Sequence, residues 1–142
     1  KGGNMLLNVG PTARGEFDWR AQERLAEMGK WMRVNGRSIY GCGAAPADMI
    51  APVDCRYTYN PATNRLYLHL FAWPFKAVHL PGVQGLVAYA QFLHDASEVK
   101  MRDAGADVHA GLNQATAEGD LTLDLPAIKP PVEVPVIELF LK

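Results

Sequence analysis

Leu66-Tyr67-Leu68-His69-Leu70-Phe71 is the stretch on which the reading of the fold turns. Leucine takes every second position, and successive side chains of an extended chain point to opposite faces, so the segment reads as a strand with one apolar side. Leu121-Thr122-Leu123-Asp124-Leu125 repeats the pattern. Both predict half-buried strands, core on the leucine side and solvent on the other. Just upstream, Asn60-Pro61-Ala62-Thr63-Asn64 gathers turn formers between two β-prone segments and predicts a hairpin loop. Downstream, Pro74 and Pro81 bound a short strand containing Val78 and His79, and Leu86–Leu93, Glu98–Met101 and Val132–Leu141 bring the total to seven or eight. Pro135 falls inside the last of these and has no N–H for a ladder, which confines that strand to an edge or a bulge. Many short strands between Gly/Pro turns predict an antiparallel β-sandwich. Asp103–Gly119, rich in Ala, Gly and Asp, reads as a loop.

The first forty residues follow a different period. Met5-Leu6-Leu7-Asn8-Val9 is a nearly continuous apolar run between Gly2-Gly3 and Gly10-Pro11, as expected of a strand covered on both faces in a parallel sheet. Asp18 is a candidate N-cap, since its carboxylate can accept from the free N–H groups of a first helical turn. Ala21, Leu25, Met28 and Met32 follow at spacings of four, three and four and so share a face. Lys30 and Arg33 suit the negative end of a helix dipole, and Gly36 offers a residue able to take positive φ just beyond. These signals predict a helix over 19–35 and a β-loop-α unit that cannot stand alone, because a parallel strand needs partners on both sides. Residues 39–53 are small, Gly- and Pro-rich and without period, which marks a connection. The chain is therefore divided near Gly43, with a β-α unit at 1–43 and the sandwich at 44–142.

Composition narrows the function classes. The chain has 142 residues, 49% hydrophobic and 20% charged, with 14 basic and 15 acidic side chains and a net charge of −1. That composition is not one that makes disorder the default, and it leaves no broad positive field for nucleic acid. No apolar run approaches the roughly 20 residues that span a bilayer. Cys42 and Cys55, 13 positions apart, either bridge in an oxidising compartment or are two buried thiols. No histidine stands at ligand spacing beside either, so no metal site is expected.

Candidate functional residues each have a local alternative. Asn8 and Thr12 lie at the carboxyl end of the first strand and in the loop after it, where barrel enzymes place their working groups. They would be substrate-binding residues; the competing reading is that they hold the turn at Gly10-Pro11 by Asx-type bonds. His94-Asp95 begins a triad in composition only, since no serine or cysteine is placed by motif to be activated, and a turn is the favoured reading. His69 and His79 read as solvent-facing or satisfied strand histidines. Tyr57, Tyr59, Phe71, Trp73 and Phe75 either form a sugar-stacking platform or are core, with core favoured. Trp19 and Trp31 read as packing of the helix onto a barrel. No catalytic pair of carboxylates stands out.

Lys1-Gly2-Gly3-Asn4-Met5-Leu6-Leu7-Asn8-Val9-Gly10-Pro11-Thr12, then Gly15, Gln22-Glu23-Arg24-Leu25, Gly29-Lys30-Trp31, Val34-Asn35-Gly36 and Ile39-Tyr40-Gly41, closely resembles the end of the catalytic barrel in family twenty-nine α-L-fucosidases. Tyr89–Lys100 and Val132–Lys142 are similar to the carboxyl-terminal sandwich of the bacterial branch. The resemblance implies a mainly β chain: the last strand-helix unit of a (β/α) TIM-like barrel, then an antiparallel β-sandwich. It implies a retaining glycoside hydrolase that releases α-linked L-fucose from a glycan or glycoside, with an aspartate nucleophile and a separate acid/base carboxylate, both on an upstream barrel. The family uses no cofactor or metal, and the resemblance points to a periplasmic or secreted enzyme. A carbohydrate-binding or purely structural sandwich is the alternative.

Overall fold

The computed structural model describes residues 3–103 and 117–142, and the expected loop at Asp103–Gly119 lies almost wholly outside them. One helix, α1 (Trp19–Asn35), and a short 3-10 turn (Gly36–Ser38) precede seven strands among the described residues. The strands are β1 (Cys55–Asn60), β2 (Arg65–Leu70), β3 (Ala77–Leu80), β4 (Val87–Phe92), β5 (Met101–Asp103), β6 (Leu121–Asp124) and β7 (Val136–Leu141). They form two antiparallel sheets, ordered β1-β2-β7-β4 and β3-β6-β5. Leu66, Leu68 and Leu70 of β2, Ile137 and Leu139 of β7, and Ala90 and Phe92 of β4 face Val78, Leu80, Leu121 and Leu123 of the smaller sheet. That is the expected sandwich, with a core drawn from the alternating positions of both sheets.

Two strand expectations need correction. β2 is buried on both faces, since Tyr67 and His69 are covered as fully as the leucines. The cover is Trp31 of α1 and the segment that follows the helix, which lie over Tyr67, Leu93 and Val136 on the outer face. Trp31 thus packs the helix onto the sandwich, and its Nε1 donates to the carbonyls of Glu133 (2.7 Å) and Val134 (3.2 Å). The final strand is not an edge: β7 pairs with β2 on one side and β4 on the other. Pro135 stands just before it, where only a carbonyl is needed, and that carbonyl accepts from Leu70 N at 3.0 Å.

The helix follows its sequence signals closely. Asp18 accepts from Arg20 N at 2.9 Å, and the Arg20 side chain also bonds it, holding its carboxyl down at about 2. The far end departs from expectation. Gly36 has φ −58 and continues into the 3-10 turn, while Gly41 takes the left-handed conformation at φ 72. At position 36 the glycine gives room instead, since a Cβ there would lie 3.1 Å from the Tyr40 ring, a tight contact.

The expected strand at Met5–Val9 forms no ladder among the described residues. Met5, Leu6 and Leu7 are 79%, 94% and 51% exposed. A parallel strand exists only through its neighbours, and no other stretch among the described residues pairs with it. Cys42 and Cys55 are free thiols, and burial pushes Cys55 up to about 11.

The joint between helix and sandwich contains one titratable group. Thr58 Oγ1 donates to the Ser38 carbonyl at 2.6 Å, so at 3.0 Å it receives the proton of His69 Nε2. The imidazole lies beneath Trp31, ring centroids 6.2 Å apart. Burial drives its pKa down to about 4 from 6.5. The folded state therefore holds a neutral imidazole that the unfolded chain protonates more readily. Its contribution is complete above pH 6.5, drains away as pH falls toward 4 and levels off below. Urea unfolding across that window should lose up to about 3 kcal/mol from this group, at about 1.4 kcal/mol per unit. His69→Gln should be correspondingly less acid-sensitive; parallel pH profiles for the two proteins would overturn the assignment.

Candidate functional site

The register of the four-stranded sheet decides what its outer face presents. Odd-numbered β2 residues and even-numbered β7 residues point outward, opposite the leucine core. One outward row reads Thr58, Tyr67, Glu138 and Gln91; the next reads Asn60, Arg65, Phe140 and Tyr89. Glu138 is buried in the first row. Its Oε2 accepts from Arg37 Nη2 at 2.9 Å and from Gln91 Nε2 at 2.7 Å. Its Oε1 accepts from the Tyr67 hydroxyl at 3.3 Å, with Arg65 Nε 4.0 Å away. Arg65 lies over the Phe140 ring, 3.8 Å from its centroid. Burial, with the Glu138 carboxylate beside it, lifts the Tyr67 phenol to about 12. A buried carboxylate is tolerable only with such partners. This cluster was not among the sequence candidates, although an acid inside Val136-Ile137-Glu138-Leu139-Phe140 is the visible signal for it.

Asn8 and Thr12 are both exposed, in the segment that leads into α1. Thr12 closes a turn: its N donates to Glu16 O at 2.7 Å, its carbonyl accepts from Gly15 N, and its Oγ1 accepts from Glu16 N at 3.3 Å. Pro11 bridges Phe17 across this turn, and Gly15 supplies the positive φ of 79. Thr12 thus holds the turn that leads into α1, and Asn8 lies in the exposed segment before it.

The remaining candidates separate cleanly. His94 Nε2 lies 3.5 Å from Asp95 Oδ2, and Asp95 Oδ1 accepts from both the N and the Oγ of Ser97. That geometry is an Asx turn after β4, with the serine proton directed to the carboxylate and away from the imidazole. His79 bonds Thr122 Oγ1 at 2.8 Å between the paired strands β3 and β6; His109 lies outside the described residues. Of the five aromatics, Tyr57, Tyr59 and Trp73 pack against the core. Only Phe71 and Phe75 stand out, at 62% and 78% exposed. No group of three or more potential metal ligands occurs among the described residues, and no helix there is long and apolar enough to cross a membrane.

Comparison with known proteins places this geometry in a family. The family model for α-L-fucosidase matches residues 1–37. Human plasma α-L-fucosidase is 33% identical over 106 residues, which are 73% of this chain and 21% of that protein. The α-L-fucosidase of Dictyostelium discoideum aligns over 98% of the chain at 26% identity. Among solved structures, α-L-fucosidase isoenzyme 1 from Paenibacillus thiaminolyticus superposes with a TM-score of 0.82 at 38% identity, covering 98% of this chain and 31% of that one. A family twenty-nine α-L-fucosidase from Bacteroides thetaiotaomicron shares the fold at a TM-score of 0.78 and 23% identity. The chain spans between about a fifth and a third of the length of these relatives. With the sandwich, the helix and the preceding apolar segment all accounted for in one set of relatives, the chain belongs to the α-L-fucosidase family, glycoside hydrolase family twenty-nine, as a carboxyl-terminal portion of its members.

Proposed function

We propose that this chain is the non-catalytic end of a retaining α-L-fucosidase, with the carboxylates that cleave the glycosidic bond on an upstream barrel. Residues 1–43 supply the last strand and helix of that barrel, and residues 44–142 form a sandwich that braces it. The observation that carries this reading is the exposed apolar segment Met5–Leu7 within the stretch that matches the α-L-fucosidase model. Three large side chains are left in water, where each would gain about 1.5 to 3 kcal/mol by full burial. Trp19 and Met28 are likewise exposed, on α1. Paired with barrel strands, the run from Met5 to Val9 becomes the strand that its composition predicts.

In such an enzyme one carboxylate attacks the anomeric carbon and the other protonates the departing oxygen; water then releases fucose from the covalent intermediate. Asn8 lies at the carboxyl end of the last strand and Thr12 in the loop after it, the working face of a barrel, and they hold the sugar or its acceptor there.

The purified 142-residue chain should not hydrolyse an aryl α-L-fucoside, whereas the same chain co-expressed with the upstream barrel segment should. Turnover by the chain alone would mean that a carboxylate pair within it had been missed. Leu6→Asp and Leu25→Asp, each placing a charge in the buried joint, should weaken the co-expressed complex without unfolding the sandwich; complexes of undiminished stability would refute the strand-helix assignment. In the active complex, Asn8→Ala and Thr12→Ala should lower kcat/KM by about tenfold each. Unchanged kinetics would restrict both residues to the turn.

A further inference from the structure

His69 stands on the boundary between two packing units. The larger core joins the two sheets, with Leu66, Leu68 and Leu139 at its centre, and takes no residue from α1. The smaller lies on the outer face, where Trp31 and Cys42 pack against Tyr67, Leu93 and Val136. Within α1 itself only Asn35 is buried. Polar ties across the joint run from the Trp31 indole to the carbonyls of Glu133 and Val134, from Arg37 to Glu138, and from Thr58 Oγ1 to the Ser38 carbonyl. A helix of 17 residues is marginal in water once such packing is lost.

The imidazole is placed where it can govern that joint. Thr58 Oγ1 gives its own proton to Ser38, so His69 Nε2 carries the hydrogen of their bond, and a second proton must enter at Nδ1. The residue is 5% exposed. Its surroundings among the described residues offer an imidazolium no free counter-ion. From α1 it meets the ring of Trp31. The 3-10 turn contributes the Ser38 carbonyl and Arg37, a cation bound to Glu138. Cys42, beyond the turn, directs its thiol to the carbonyls of Arg37 and Tyr40. Arg56 is its register partner on β1 and adds a like charge, and its partner on β7 is Val136. Glu138, two positions farther along β7, is engaged by Arg37, Gln91 and Tyr67.

We infer that protonation of His69 releases α1 and the 3-10 turn from the sandwich while the two sheets stay packed, so that this joint is a latch opened by acid. Opening lets water reach the ring, which then accepts a proton that it refuses in the closed joint. Burial lowers the closed-state pKa from 6.5 to about 4. Acid therefore favours the open form about tenfold per pH unit between those values, about 300-fold in all. The sheets hold because their core is separate from the joint, and local openings cost less than global unfolding. Under the function proposed above, the released segment is the last helix of the barrel, and acid frees that barrel from its brace; the latch itself does not rest on that reading.

The test is native-state hydrogen exchange of the 142-residue chain from pH 6.5 to 4, corrected for the intrinsic pH dependence of amide exchange, with an NMR titration of the imidazole. Protection at amides 22–38 should fall by up to about 300-fold over that range, while amides 66–70 and 136–141 remain protected at pH 4. His69→Gln keeps a donor for Thr58 but takes no proton, and it should hold the 22–38 protection within about threefold throughout. Loss of both sets of amides in one step would overturn the inference, as would an acid dependence that His69→Gln leaves intact. Should that variant not fold, the wild-type titration decides: an imidazole that titrates near 6.5 with 22–38 still protected refutes the latch. These outcomes are independent of the barrel complex on which the proposed function is tested.

Discussion

The placement of β7 between β2 and β4 is the constraint on which the other features depend. Its inward side chains, Ile137 and Leu139, complete the leucine rows of the core. Its outward Glu138 gathers Arg37, Gln91 and Tyr67. The two carbonyls just ahead of it, at Glu133 and Val134, hold the indole of Trp31 and so anchor the helix. One strand thus fixes the core, the polar cluster and the attachment of the amino-terminal unit. A central antiparallel strand can do this because its two faces and two edges all meet protein.

What could be read from the sequence was what is local. The helix bounds followed from Asp18, the four-three-four apolar spacing and the loss of period after Asn35. The hairpin followed from Asn60 to Asn64, where Asn60 Oδ1 indeed bonds Ala62 N and Asn64 takes a positive φ. What could not be read was set by residues far apart in the chain. Alternating leucines mark one buried face, but whether His69 and Tyr67 meet solvent depends on a tryptophan more than thirty positions earlier. Pro135 was an argument for an edge only while the strand was taken to include it. Gly36 suggests freedom of φ in the sequence, while in the fold it has an ordinary helical φ and lies close to the Tyr40 ring.

The candidate site was legible to a different degree. Family resemblance reached the right relatives through residues whose own geometry says little, since Asn8 and Thr12 are both exposed. Thr12 bonds its own turn, and a β-α unit has no pocket until other strands stand beside it. The polar cluster on the sheet escaped notice because its members, Arg37, Tyr67, Gln91 and Glu138, are scattered over about a hundred residues and meet only through strand register. Periodicity assigns each of them a face. It does not say that the faces coincide.

The central position of β7 also bears on synthesis. The β1-β2 hairpin is complete by Leu70, but the partner of Arg65 is Phe140 and that of Leu66 is Leu139. While the intervening residues emerge from the ribosome, β2 has a bare hydrogen-bonding edge and a row of uncovered leucines, a template for pairing with the same edge of another nascent chain. Each new molecule therefore passes through an interval of adhesiveness whose length is set by elongation rate. A chaperone that shields that edge, or a faster passage through the segment before β7, would govern yield more than the stability of the finished sandwich does.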